Sequence, residues 1–347
     1  MQGGIEIAGL PPIVIPVFVS NMGCPHRCVF CDQRQNAYPM PPSKVEAHVE
    51  EFISRCRHPQ NRQRVVAFFG GSFTGIDDGL LSDYLDVTRS LIHDGRVHAA
   101  KASTRPDMVS EEKLQMLYDA GFRDLEIGIQ SMDDEVLKAS SRGHTKDDAI
   151  RACASIKSAG MNLGIQLMPG LPGEDIESFK KTIEAVLGIR PENARIYPTI
   201  VLEGTPLEDM YLKGEYRPLT LDEAVNRTLY ASIKLEDAGC TILRMGVPSS
   251  PGLKITAGPY HDSFGFLVRA RGYGIMAQRL VGLLGRGCKL SVNSKAVPEL
   301  VGYKRSSLKE LDFSFSFDDT IPRGYIRAGD PRESACIQLQ DILEYIL

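Results

Sequence analysis

"CPHRCVFC", residues 24–31, places Cys24, Cys28 and Cys31 within eight residues, and no fourth cysteine follows closely. The apolar, β-branched run Pro12–Ser20 directly before it reads as a strand, so the cysteines fall in the loop at that strand's C-terminal end. Three thiolates are one short of a closed tetrahedral metal site. A [4Fe–4S] cube held by three of them keeps one iron without a protein ligand, and that iron can bind an exogenous chelator and pass it an electron. Pro25 stiffens the turn, and Arg27 sets a positive charge beside an anionic cluster. The competing reading is a structural zinc with His26 or a distant Cys as fourth ligand. Such sites usually show a second pair of ligands, which the sequence lacks.

Outward from that loop, the first 245 residues alternate between two patterns. Short apolar runs at Pro12–Ser20, Val65–Phe69, Val97–Ala102, Leu125–Ile129, Leu163–Met168 and Ala194–Val201 read as strands, with amphipathic segments between them. Val45, Val49, Phe52, Ile53 and Cys56 follow one helix face, and Ser43 with Glu46 reads as its capping box. Thr220 and Glu223 open another such helix through Val225, Leu229 and Ile233. Three helices end alike, in "DAGF" at Gly121, "SAGM" at Gly160 and "DAGC" at Gly239, where glycine takes the left-handed turn into a strand. Repeated strand–helix units imply parallel strands with right-handed crossovers.

The expected fold over residues 1–245 is therefore α/β, with a closed or partly open barrel favoured over a doubly wound sheet, a choice that periodicity alone does not settle. After Gly246, "VPSSPGLKITAGPYHDSFG" reads as a linker or structured loop. Residues 246–347 read as a small C-terminal α/β extension, with a helical pattern near Tyr273–Leu284 and an alternating strand, "FSFSF", at Phe313–Phe317. Polar and glycine residues gather where the strands end: Gly70 and Gly71, Ser103 to Arg105, Gln130 and Ser131, Gln166 to Pro169. In parallel barrels that rim is where working residues sit.

A chain of 347 residues, 43% hydrophobic and 24% charged, can bury a sizeable core. No stretch approaches the ~20 apolar residues of a membrane span. The start lacks a secretory pattern, and eight cysteines in a long chain suit a reducing compartment, so a cytoplasmic protein without membrane contact is expected. Cys56 and Cys153 lie on apolar helix faces and read as core. The net charge of −4 conceals a basic block: from Arg269 to Lys309 nine Lys or Arg stand against one acid, Glu299. A block of that sign suits a polyanion such as RNA, or a solvated basic surface.

The C-x3-C-x2-C spacing, with the aromatic Phe30 before the last Cys, resembles the cluster motif of the radical S-adenosylmethionine enzymes. Together with "GGSFTG" (70–75), "STRPD" (103–107), "LEIGIQSMDDEVLKASSRGHT" (125–145), "GIQLMPGLPGE" (164–174) and "IYPTIVLEGTPL" (196–207), it resembles the radical domain of the catalytic subunit of Elongator. More loosely, the chain is similar to oxygen-independent coproporphyrinogen III oxidase. The resemblance implies an α/β fold, a partial TIM-like barrel of six strand–helix units, and a [4Fe–4S] cluster on Cys24, Cys28 and Cys31. It further implies S-adenosylmethionine (AdoMet) on the open iron, cleaved reductively to methionine and a 5′-deoxyadenosyl radical. It implies AdoMet contacts as well: Gly70 and Gly71 beside the methionine amino group, Ser103 and Arg105 at the polar end, Gln130 and Gln166 on the ribose, Arg142 on the carboxylate, Phe30 against adenine. Several relatives carry Glu where this chain has Ser103, and the oxidase family carries Asp where it has Gln166.

The same resemblance implies wobble uridine of transfer RNA as the substrate class and a reductant such as flavodoxin or ferredoxin. About 90 residues follow "ITAG" at Ile255–Gly258, and nothing in them resembles the acetyltransferase domain of the Elongator subunit. Carboxymethylation by that route is then expected only with a separate acyl-donating partner. Lys304 and Arg305 are candidate phosphate contacts, and Tyr260 and His261 candidate substrate-facing residues. The alternatives are a radical enzyme acting on a small molecule such as a tetrapyrrole, and a non-catalytic iron–sulfur or RNA-binding module.

Overall fold

Alternately buried and half-buried side chains make Ile13–Phe18 the first strand, β1. Pro16 is tolerated inside it because β1 lies at the sheet edge, where one side has no ladder to donate to. The computed structural model describes residues 11–32, 39–249, 252–329 and 335–347. The first ten residues, and Ser250 and Pro251 of the expected linker, lie outside the described residues.

Through the first compact unit, which runs to Leu167 and includes Pro191–Asn193, strands and helices alternate. After β1 come α1 (Pro42–Ser54), β2 (Arg64–Phe69), α2 (Asp78–His93), β3 (Ala99–Thr104) and α3 (Glu111–Asp119). Then follow β4 (Phe122–Gln130), α4 (Asp134–Ala139), α5 (Lys146–Ser158) and β5 (Asn162–Leu167). Each neighbouring pair from β1 to β5 is parallel. Between sheet and helices sits a ring cluster of Phe68, Phe73, Phe122 and Tyr84, with Phe68 and Phe73 stacked at 4.6 Å between centroids. Gly121, Gly160 and Gly239 all carry the left-handed φ expected after their helices.

The second unit supplies α6 (Ile176–Ile189), most of β6 (Asn193–Ile196), β7 (Val201–Leu202), α7 (Pro206–Leu212), α8 (Leu221–Asp237) and β8 (Thr241–Met245). The main sheet runs β1-β2-β3-β4-β5-β6-β8, the curled parallel half-barrel that the expected class requires. It has seven strands where six were expected, the seventh being the segment that follows Gly239. The run Ala194–Val201 divides because Pro198 has no N–H to continue a ladder. Thr199 N instead donates to Pro169 O at 2.8 Å, and β7 pairs antiparallel with β9 (Ile255–Ala257). Helix α1 also begins differently. Pro42 occupies its first turn behind Pro41, Ser43 is not a cap, and Glu46 pairs with Arg96 instead. The Thr220–Glu223 capping box forms as expected.

The C-terminal part is α/β. Helix α9 (Phe264–Leu284) starts well before the predicted Tyr273, inside the stretch read as a linker. Strand β10 (Cys288–Val292), α10 (Val297–Val301), α11 (Ser306–Glu310), β11 (Phe313–Phe317), β12 (Tyr325–Ala328) and β13 (Ala335–Gln338) follow. They include a four-stranded sheet in the order β11-β10-β12-β13. Among the described residues no helix is long and apolar enough to cross a membrane.

Within the second unit, Glu174 and Arg227 form an ion pair whose side chains are 2% and 10% exposed. Glu174 also accepts from Gly170 N at 2.6 Å, and Tyr216 donates to Gly170 O at 2.6 Å, so one buried network holds the "PGLPGE" loop. Breaking one side of such a pair strands a buried charge, at a cost of about 3 kcal/mol or more. Arg227→Met should lower the urea midpoint accordingly. An unchanged midpoint would show that the loop does not depend on this pair.

Candidate functional site

The cysteine loop and the "GGSFTG" loop after β2 interlock through their backbones. Asn21 N donates to Gly70 O at 2.6 Å and Ser72 N to Met22 O at 2.9 Å. A Cβ on Gly71 would lie 2.6 Å from Met22 O and 2.9 Å from Met22 N, so glycine there lets the two loops touch. Ser72 and Thr74 bond the Thr104 hydroxyl at 2.8 and 2.6 Å, and Arg105 N donates to Ser72 Oγ, which ties the end of β3 to the same cradle.

Two arginines converge on the middle cysteine. Arg142 Nη1 lies 3.2 Å and Arg105 Nη1 3.7 Å from Cys28 Sγ, with all three residues buried. Arg105 is held by Asp107 through two bonds of 3.0 and 3.1 Å and reaches the Arg142 carbonyl. Arg142 Nη2 donates to Gly128 O at 2.6 Å, while its Nε is buried without a hydrogen-bond partner among the described residues. Desolvation pulls the Arg142 pKa down, opposed by the negative charge at Cys28. Burial first, then its sister thiolates, pushes Cys31 up to about 12, and burial raises Cys24 as well. Burial, with the charges of Arg142 and Arg105, pushes His144 down to about 3, so it is neutral.

The remaining candidates of the first unit line the same strand ends. Gln130, buried and left-handed at φ 69°, accepts from Gln166 Nε2 at 3.1 Å. Ser103 Oγ donates to Glu126 Oε1 at 3.3 Å across the β3–β4 register. Phe30 is half-buried before Cys31. Cys24, Phe30, Cys31, Gly70 and Gly71 join Cys28, Ser103, Arg105, Gln130, Arg142 and Gln166 within one unit. Tyr260, His261, Lys304 and Arg305 belong to the other.

Sequence reading missed Glu126, Asp107 and Gly128. Glu126 and Gly128 alternate with apolar residues along "LEIGIQ", and a glycine inside a strand pattern signals a close approach. A Cβ on Gly128 would lie 2.8 Å from Gln130 Nε2 and 3.4 Å from Arg142 Nη2. Asp107 is visible in "STRPD" only as a charge two residues from Arg105.

The profile of the radical SAM superfamily matches residues 19–186, and that of the radical SAM C-terminal domain matches residues 191–273. The chain belongs to the radical SAM superfamily. A tRNA uridine(34) acetyltransferase of Methanocaldococcus jannaschii is 28% identical over 263 residues, 63% of this chain and 48% of the relative. Elongator complex protein 3 of Saccharomyces cerevisiae is 30% identical over 164 residues, 46% of this chain and 28% of the relative. The structure of Methanocaldococcus infernus Elp3 lacking its first 46 residues aligns at TM-score 0.58 and 24% identity, covering 80% of this chain and 65% of that one. The chain spans about half the length of the first of these curated relatives.

As a radical SAM enzyme, the chain has a [4Fe–4S] cluster and AdoMet as cofactors. The residues present fit them: three thiols on one loop, two buried guanidiniums aimed at the central sulfur, and one guanidinium nitrogen left without a partner. Among the described residues no three or more His, Cys, Asp or Glu, the three cysteines included, are gathered closely enough to hold a single metal ion. His26 faces Asp107 at 3.9 Å. Because Gly128 makes room for both Gln130 and Arg142, Gly128→Ala should overpack the strand end and cost about 1–3 kcal/mol. The thermal midpoint would report it. A midpoint equal to wild type would mean that the two side chains can step aside freely.

Proposed function

We propose that this radical SAM enzyme modifies RNA, with transfer RNA as the substrate class, and that Cys24, Cys28 and Cys31 hold its cluster. The observation that carries the catalytic half is the pair of buried guanidiniums on Cys28 Sγ. The RNA half is supported by the 263-residue similarity to a tRNA uridine(34) acetyltransferase. A cluster held by Cys24, Cys28 and Cys31 would supply, once reduced, the electron for reductive cleavage of bound AdoMet to methionine and a 5′-deoxyadenosyl radical.

This chain's own residues set the conditions for that chemistry. Three thiolates leave one corner of a cube open to AdoMet. Arg105 and Arg142, donating to Cys28 sulfur, stabilise negative charge there and raise the tendency to accept an electron. Ser103 with Glu126 forms an acceptor pair for the AdoMet ammonium. The carboxylate stands on β4, beside the position where several relatives carry Glu on β3. Gln130 and Gln166 present amide groups to the ribose hydroxyls, Gly70 and Gly71 present backbone to the methionine end, and Phe30 presents its ring to adenine. Arg142 serves the carboxylate through the guanidinium atoms that Cys28 and Gly128 do not use. We place the reaction in the cytoplasm, with flavodoxin or ferredoxin as electron donor.

Anaerobic reconstitution with iron, sulfide, AdoMet and dithionite tests the reading. Wild type should bind about four iron atoms per chain, form 5′-deoxyadenosine, and leave a modified nucleoside in a digest of unmodified tRNA. Cys28→Ala should lose all three signals. Glu126→Gln should keep its iron yet bind AdoMet about tenfold more weakly in equilibrium dialysis, the loss of one charge-assisted contact. Nucleoside production by an iron-free Cys28→Ala protein would overturn the assignment of the cluster. If tRNA stayed unmodified while a porphyrinogen was consumed, the substrate would be a tetrapyrrole.

A further inference from the structure

Tyr303, Lys304 and Arg305 lie beside a cleft of about 640 Å³ in the second unit, within the roughly 300–1,000 Å³ range of ligand sites. Its walls come from α8, α9, α11 and the turns just before α9 and α11, and they include Leu221, Arg271, Gly274, His261, Tyr303 and Ser307. Much of this lining lies beyond residue 273, where the matched C-terminal domain ends. Three features give the cleft its chemistry. Tyr303 is 40% exposed, and His261 meets its ring edge-on at 5.2 Å, so one aromatic surface is pinned in place. His261 Nδ1 accepts from Ser263 N at 3.0 Å, which leaves the proton of a neutral ring on Nε2. Lys304 Nζ lies 5.3 Å from the Tyr303 ring centroid.

The basic residues of this region divide by use. Arg269 pairs with Glu236 at 3.1 Å, Arg271 with Asp222, and Arg279 donates to Asp341 O while covering Tyr345. Lys304 and Arg305 are exposed, and both hold left-handed backbones, φ 52° and 63°. Non-glycine residues are strained there, and two in succession on an exposed turn are not needed to close a helix. Both cations directly follow an exposed aromatic ring in the chain.

We infer that this cleft holds one unstacked nucleotide of single-stranded RNA, its base against Tyr303 and its flanking phosphates on Lys304 and Arg305. The inference rests on the RNA reading above and names where on the second unit the RNA is read. Bases splayed from loops are recognised by such aromatic stacking, with cations on the backbone. Asp222 and Glu310 in the lining add acceptors that suit a base amino group or a ribose hydroxyl.

Fluorescence anisotropy with the full chain tests it, using an unmodified tRNA transcript, a short single-stranded oligonucleotide and a duplex of the same composition. Wild type should bind the first two and prefer the single strand to the duplex. Tyr303→Ala should weaken both about tenfold or more, and Tyr303→Phe should keep most of the affinity. The double variant Lys304→Gly/Arg305→Gly relieves backbone strain, so it should melt higher than wild type while binding RNA more weakly. Its salt slope should flatten by about one to two. A purely structural turn would show the higher melting point with unchanged RNA affinity, and that result overturns the inference. Tight tRNA binding that Tyr303→Ala leaves intact would also remove the cleft from the RNA surface, with the RNA reading still standing. Absence of any RNA binding by wild type would end both.

Discussion

A guanidinium taken out of water costs several kcal/mol unless an anion and hydrogen bonds compensate it. Arg142 is 5% exposed, donates to a sulfur and one carbonyl, and keeps a buried Nε without a hydrogen-bond partner among the described residues. Arg105 beside it has Asp107, a carboxylate of its own. Among the described residues one carboxylate, Asp107 on Arg105, serves these two buried cations, which leaves positive charge beside Cys28 for an anion such as the proposed cluster to balance. The cysteines meet the same cost from the other side. Burial and mutual repulsion hold Cys31 up at about 12, and burial raises Cys24, so these two thiols resist ionising in the protein alone. Each half of the site is costly alone, and together they are complementary.

That complementarity needs the cysteine loop fixed against the barrel, and the fixing is backbone on backbone. The Met22 and Gly71 main chains touch, and no side chain stands between them. Hydroxyls of Ser72, Thr74 and Thr104 carry the constraint to the end of β3, where Arg105 begins. Gly128 then permits Gln130 and Arg142 to share a crowded strand end. Glycines at strand ends thus act less as open space for a cofactor than as the means by which adjacent loops pack without Cβ atoms.

Much of this was legible in the sequence, and the boundary between what was and was not is physical. Local signals carried the strand–helix alternation, the glycine stops and the Thr220 cap, because each depends on a few neighbouring residues. The cap at Ser43 failed because Pro41 and Pro42 start the helix by fixing φ, which overrides a side-chain bond. Cys24, Cys28 and Cys31 were legible because one loop holds all three. Glu126 was not, since its importance comes from a strand register that places it beside Ser103, 23 residues away in sequence. The pairing within the basic block was hidden for the same reason: Arg269 and Arg271 face acids of α8, far off in sequence, which a local charge count does not see.

What remains of that block after pairing is more informative than its total. A net charge summed over a segment describes a long-range field, which salt screens within about 8 Å at physiological ionic strength. Arginines spent on Glu236 and Asp222 contribute little to it, whereas exposed cations such as Lys304 and Arg305 contribute in full. Their side chains would still lose entropy on meeting a phosphate. What the left-handed backbone sets is the direction in which each side chain leaves the main chain, and the ordering of its charged end must come from the partner it meets.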